Sequence, residues 1–221
     1  MGNLDIAFEY IGKNFSADCI FSILKNDNEL LKPIAVLALE ELNSEDEGRL
    51  LLSHLTGVNG KIREVVSLKI TELYPKTPHF LNATKLYVDA LCDVNPNVCR
   101  NIIDILVQNN PPKVLEPLTE RIEQILDEID SIVVKFRRNK EKSHALNVKI
   151  FNLYWCLEGL FYALEGSNER IERILARCSD MYDYTIREKT AKILSKIKPA
   201  PEYLLEKLKN DDNFYVKLQL V

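Results

Sequence analysis

Asn59-Gly60-Lys61-Ile62-Arg63-Glu64-Val65-Val66-Ser67-Leu68-Lys69-Ile70-Thr71-Glu72-Leu73 is the stretch whose reading decides the fold. Asn59 suits a helix N-cap, because its side-chain oxygen can accept N–H groups that a first helical turn leaves unpaired. Apolar residues then recur at Ile62, Val65, Val66 and Ile70. Spacings of three and four residues describe one face of an α-helix. Arg63 sits inside the first turn, directly after an apolar residue.

The same apolar-basic pair recurs along the chain as Leu31-Lys32, Cys99-Arg100, Val148-Lys149, Ile186-Arg187 and Val216-Lys217. The intervals between the six basic residues are 31, 37, 49, 38 and 30. Counted from the apolar member, positions +3, +4, +7 and +8 are Ile34, Ala35, Ala38 and Leu39 in the first copy, and Ile102, Ile103, Leu106 and Val107 in the third. In the fifth they are Lys189, Thr190, Ile193 and Leu194. A partner helix precedes each of these second helices. Ser16 predicts an N-cap for residues 17–25, and Ser44-Glu45-Asp46-Glu47 predicts a capping box. Thr77-Pro78 and Asn95-Pro96 predict helix starts with proline at the first helical position. Pro33 predicts a start for the helix at 29–42, and residues 4–14 read as a short closing helix. Only 7 of the 221 residues are glycine, which argues against a turn-rich all-β fold.

Helix pairs recurring every 30 to 40 residues, with Asp or Asn before an apolar-basic dipeptide in the second helix, resemble HEAT repeats. Asp27, Asn59, Asn95, Asp183 and Asp212 or Asn213 occupy the Asp/Asn place. The resemblance covers nearly the whole chain and implies one domain, 1–221, folded as an all-α, right-handed solenoid of about six helix pairs. It also implies that Arg63, Arg100 and Arg187 form a structural ladder with acidic residues of neighbouring repeats. A DNA-alkylation glycosylase of the same fold class would need a broad basic concave face, and a pI near 5.6 argues against one.

The interval of 49 breaks the pattern. Residues 113–138 read as one long helix whose apolar stripe runs from Val114 to Phe136, beginning near Glu116 because of Pro117, with Glu116, Glu120, Glu123, Asp127, Glu128 and Asp130 on a solvated side. Its partner, 143–165, is apolar almost all round, so it is either buried between pairs or turned to a partner. In this enlarged pair, 113–165, Tyr154, Trp155 and Tyr162 are the candidate partner-binding aromatics, and Arg137, Arg138 and Lys140 the candidate anionic contact. Cations at a helix C-terminus also have a structural reading. The last helix, after Asp212, is short and ends apolar on Leu218-Gln219-Leu220-Val221. A terminal repeat should be polar outside, so either the array continues or another chain covers this end, self-association included.

Charge is uneven: net −6 over residues 1–60, −3 over 61–134 and +5 over 135–221. Drift along a solvated surface explains this, and head-to-tail association or a partner of mixed charge are the functional readings. The five cysteines, with no C-x-x-C pair and no export signal, read as reduced core thiols of a cytoplasmic protein, Cys156 included. No stretch of about 18 residues is free of charge, which excludes a membrane span. His54, His79 and His144 lie in different pairs without partners at i+3 or i+4, so neither a metal nor a cofactor is expected. Nucleotide-loop and nucleophile-elbow motifs are absent. The function expected is a non-catalytic scaffold binding another protein. A nucleic-acid binder and a helical-repeat enzyme or cofactor lyase are the alternatives.

Overall fold

The computed structural model describes residues 15–26, 28–108, 111–136 and 144–221. The described residues are all-helical, with no strand among them. Among the described residues twelve helices follow in order: α1 (Ala17–Lys25), α2 (Lys32–Ala38), α3 (Glu45–Ser53), α4 (Gly60–Leu73), α5 (Thr84–Ala90), α6 (Pro96–Gln108), α7 (Pro111–Phe136), α8 (His144–Ala163), α9 (Glu169–Ser179), α10 (Tyr184–Lys196), α11 (Glu202–Lys209) and α12 (Phe214–Leu218). None is long and apolar enough to cross a membrane.

Several helices begin at a capping side chain. Ser16 Oγ accepts from the Cys19 N–H, and Ser44 Oγ from the Glu47 N–H. Glu47 closes the other half of its box one residue early, accepting from the Asn43 N–H at 2.6 Å. Asn59, Asn168, Asp183 and Asn213 each accept backbone N–H groups of the turn they open. Two start signals misled. Residues 77–83 form turns rather than a helix from Pro78, and α5 begins only at Thr84. The buried Tyr87 hydroxyl donates to the Leu81 carbonyl at 2.6 Å, which satisfies this non-helical backbone in the core. Conversely, α7 begins at Pro111 and carries Pro117 inside it. The helix therefore lacks one hydrogen bond there yet continues, because Val114, Leu118, Ile122 and Ile125 on its inner face are fully buried. The helix at 29–42 is shorter than expected, ending at Ala38. The expected helix at 4–14 lies outside the described residues.

The chain forms two compact units, Met1–Ala90 with Asn95–Gln108, and Leu91–Val94 with Asn109–Val221. In unit 1, α2, α4 and α6 pack in succession, α1 packs on α2 and α3, and α5 on α6. In unit 2, α8, α10 and α12 pack in succession, as do α7, α9 and α11, and each row packs on the other. Within each unit, every second helix thus meets the next second helix. Side chains about 30 residues apart are tied across these seams. In unit 1, Asn59 Nδ2 donates to Glu29 at 2.9 Å, and Asn95 Nδ2 and Asn97 Nδ2 donate to Glu64 at 3.0 and 2.7 Å. In unit 2, Gln219 donates to Glu188 at 3.2 Å.

Gly48 marks a close helix-to-turn contact in unit 1. A Cβ there would lie 2.3 Å from the Phe80 carbonyl oxygen, a backbone atom held by the 77–81 turn. Gly48→Ala should therefore destabilise the protein by about 1–3 kcal/mol in urea unfolding. Gly166→Ala, where nothing lies within 4 Å of the added carbon, should be neutral or slightly stabilising.

Candidate aromatic and lysine site

The helix α8 carries two faces. Ile150, Leu153, Cys156, Leu157 and Leu160 are buried, and Asn152 is buried among them. With its amide oriented to satisfy both neighbours, Asn152 Nδ2 donates to the carbonyls of Cys92 (3.2 Å) and Val148 (3.1 Å). Opposite this face run Phe151, Tyr154, Glu158, Phe161 and Tyr162, none of them buried. The steps of three and four residues place them along one edge.

Helix α10 presents Lys189, Lys192 and Lys196 to that edge with the same spacing. Lys189 Nζ lies 4.5 Å from the Tyr154 ring centroid and Lys192 Nζ 4.3 Å from that of Phe161. Lys192 also stands 6.0 Å from the Tyr162 ring, and Lys196 5.1 Å from Phe161. Ammonium groups over aromatic faces are attracted by the ring quadrupole. Glu158 binds both Lys189 and Lys192, the latter at 3.2 Å. Burial alone would raise the Glu158 pKa, but the two ammonium groups outweigh it and hold it below the usual value. Lys189 follows the same logic in reverse. Burial would lower its pKa, and Glu158 raises it. Lys196 Nζ donates to the Phe161 carbonyl at 2.6 Å, near the end of α8, where the helix dipole favours a cation.

Of the candidate aromatics, Tyr162 is exposed and Tyr154 half-buried, but Trp155 is buried. It packs edge-on against Phe151 and Tyr154 and belongs to the core, a correction to its reading as a surface anchor. Arg137, Arg138, Lys140 and Asp27 lie outside the described residues. Sequence reading missed Glu158, Phe161, Lys192 and Lys196. The i, i+3, i+7 lysines of α10 were the available signal, but nothing in the pattern paired that helix with α8.

Of the three arginines read as a ladder, Arg187 has acidic partners about 25 residues later in the chain, whereas the bonds of Arg63 to Gly57 and Val58 and of Arg100 to Asn97 are local. Arg63 Nη1 donates to the carbonyls of Gly57 (2.8 Å) and Val58 (2.9 Å). Arg187 Nη1 does the same to Met181 and Tyr182, both at 2.9 Å. Each thus clamps the carbonyls six and five residues before it. Arg187 also pairs with Asp211 through Nε (2.7 Å) and Nη2 (3.1 Å), and with Asp212 at 3.2 Å. Arg100 donates to Asn97 Oδ1 at 3.0 Å.

The acidic side of α7 is less free than its sequence suggests. Arg170 binds Glu116 and Glu123 at 2.6 and 2.7 Å, Arg177 binds Asp127 and Asp130 at 2.9 and 2.7 Å, and Lys149 pairs with Glu128 at 2.5 Å. Nor are all five cysteines in the core. Cys19 is exposed and Cys92 half-buried. His54 faces the Leu24 carbonyl at 3.0 Å. Among the described residues no group of three or more His, Cys, Asp or Glu is placed to hold a metal ion. An open cleft in unit 1 is lined by Asp18, Lys25, Ser44 and Glu47, of which the last two are engaged in capping α3.

Glu158→Gln should leave two partly buried ammonium groups without their carboxylate and cost about 1.5–3 kcal/mol at pH 7. The folded-state pKa of Glu158 is depressed, so its contribution is present above the unfolded carboxyl value and is lost as pH falls through the folded one. The stability gap between wild type and Glu158→Gln, measured by urea unfolding, should therefore shrink steadily from pH 6 to pH 3.

No family model matches the chain, and no curated protein matches its sequence, so a functional reading rests on this geometry.

Proposed function

We propose that this chain is a non-catalytic scaffold of HEAT-like helix pairs, and that unit 2 binds an acidic polypeptide segment on the edge formed by α8 and α10. The observation that carries the reading is the ordered array of Lys189, Lys192 and Lys196 over Tyr154, Phe161 and Tyr162. Three cations against one carboxylate leave a local excess of positive charge. The rings and the Phe161 carbonyl hold the ammonium groups in place, so binding freezes little additional side-chain entropy. Long cationic side chains above aromatic faces offer carboxylates a charge and apolar side chains a flat surface.

Two further features support the reading. Among the described residues, the exposed aromatic side chains Tyr162, Tyr182, Tyr184, Tyr203, Phe214 and Tyr215 all fall in the last third of the chain, which is also its basic part. Within each unit the second helices pack in succession, as repeat pairs do, and repeat stacks offer extended surfaces for extended ligands. Nucleic acid fits less well, since tracking a phosphate backbone calls for a broad basic face and the chain has a pI near 5.6.

A random peptide library displayed on phage and panned against the full chain tests this. Recovered peptides should be enriched in Asp and Glu beside aromatic or aliphatic residues. Their Kd, measured by fluorescence anisotropy, should weaken about tenfold or more in Lys192→Glu and in the exposed-site variant Lys196→Glu, with helical circular dichroism unchanged, since tenfold corresponds to about 1.4 kcal/mol. Peptides without acidic enrichment, or affinities indifferent to both charge reversals, would sink the proposal. So would single-stranded oligonucleotide binding that outcompetes the peptides and falls steeply with salt.

A further inference from the structure

The cysteines of this chain sit in very different chemical surroundings. Cys178 is fully buried, and burial pushes its thiol up to about 12. Cys99 is buried in α6, and Cys19 is exposed on α1. Cys92, in the segment Leu91–Val94 that belongs to unit 2, is half-buried and surrounded by directed groups. Arg121 on α7 donates its Nε–H to Cys92 Sγ at 3.2 Å, and its own Nη1 is held by Gln124 Oε1 at 2.7 Å. Cys156 lies wholly buried on the same face of α8 as Asn152, one helical turn after the residue that reaches the Cys92 carbonyl, and Lys149 of the same helix adds a second positive charge. The Cys92 carbonyl is pinned by Asn152. Cys156 lowers the Cys92 thiol, Arg121 lowers it further, and burial opposes both.

A thiolate is the nucleophilic form of cysteine, and its oxidation goes furthest in a controlled way when a second thiol stands ready to capture the product. We propose that Cys92 is a peroxide-reactive site and that Cys156 resolves its sulfenic acid into an intramolecular Cys92–Cys156 disulfide. The Cys92 thiolate attacks one oxygen of hydrogen peroxide and the O–O bond breaks. The second oxygen leaves as hydroxide and takes a proton to become water. Cys92 is oxidised by two electrons to the sulfenic acid and the peroxide is reduced. The Cys156 sulfur then attacks the Cys92 sulfur, the S–O bond breaks, and the departing hydroxide takes the Cys156 proton as water. Two thiols and one peroxide become one disulfide and two waters. Arg121 acts as a positioning residue that stabilises the attacking sulfur, while Cys156, wholly buried, is shielded from direct oxidation.

The test uses the full, reduced chain treated with stoichiometric hydrogen peroxide, then alkylated, digested and read by mass spectrometry. The expected main product is a peptide linked through Cys92 and Cys156, cleaved again by dithiothreitol. In Cys156→Ser the sulfenic acid should persist and be captured by dimedone at Cys92. Arg121→Gln should slow Cys92 oxidation at pH 7 several-fold, because the thiolate loses its guanidinium partner, with Arg121→Lys restoring part of the rate. A measurement on the unmodified protein guards against misfolded variants. Iodoacetamide should alkylate Cys92 faster than the more exposed Cys19 at pH 7. Faster labelling or oxidation of Cys19, or disulfide formed through any other pair, overturns the proposal.

Discussion

A guanidinium that closes the turn before its own helix is the interaction on which the packing depends. Arg63 and Arg187 each reach back to two carbonyls five and six residues earlier. Four residues before each arginine, Asn59 or Asp183 caps the N–H groups of the same helix. Cap and clamp together satisfy the orphan donors and acceptors that meet where one helix ends and the next begins. The clamped carbonyls are not buried: Gly57 and Met181 are half-buried and Val58 and Tyr182 exposed. The clamp therefore acts by fixing the path of the turn between two packed helices. The arginine supplies several donors in a rigid fork, so one side chain can serve two carbonyls and, at Arg187, also grip Asp211.

Once the turns are rigid, the helices they join are placed well enough for side chains to be arranged across the seams. Glu29, Glu64, Glu158 and Glu188 each serve as the acceptor for groups about 30 residues later in the chain. At Glu158 this seam chemistry becomes something more. The same carboxylate that joins α8 to α10 aligns two ammonium groups over aromatic rings. A structural ion pair and a preorganised surface are thus one arrangement seen from two sides. The binding role proposed for that edge and the thiol chemistry proposed at Cys92 use opposite faces of α8. Tyr154 and Phe161 stand on the outer face, and Cys156 and Asn152 on the inner.

The enlarged helix α7 illustrates how packing overrides local preference. Pro117 removes one backbone hydrogen bond, and its ring crowds the preceding turn. Burial of a continuous apolar stripe contributes more than that loss, at about 25 cal/mol for each Å² removed from water. Its acidic outer side, which in isolation would repel itself, is held by Arg170 and Arg177 of α9 and Lys149 of α8. Arg170, through its hydrogen bonds, keeps the Glu123 carboxyl below its usual range.

The sequence by itself determined the helical class, most helix starts and the enlarged central pair, because these depend on local events: a cap, a period of 3.6, a proline in a first turn. Asn59, Asp183 and Asn213 could be read as caps with no knowledge of what lies beside them. Pro78 and Pro117 could not be read correctly, since the first is governed by what Tyr87 and Gly48 pack against and the second by the core beneath α7. The candidate site was half legible. Tyr154 and Tyr162 were visible as aromatics on a long helix, whereas the burial of Trp155 depends on which face α8 turns inward, and a helix apolar all round carries no period to decide it. The pairing of Lys189, Lys192 and Lys196 with Glu158 and Phe161, and of Arg121 with Cys92, joins residues 29 to 35 positions apart. Only tertiary structure decided those, because they depend on where two helices cross and not on any property of either one.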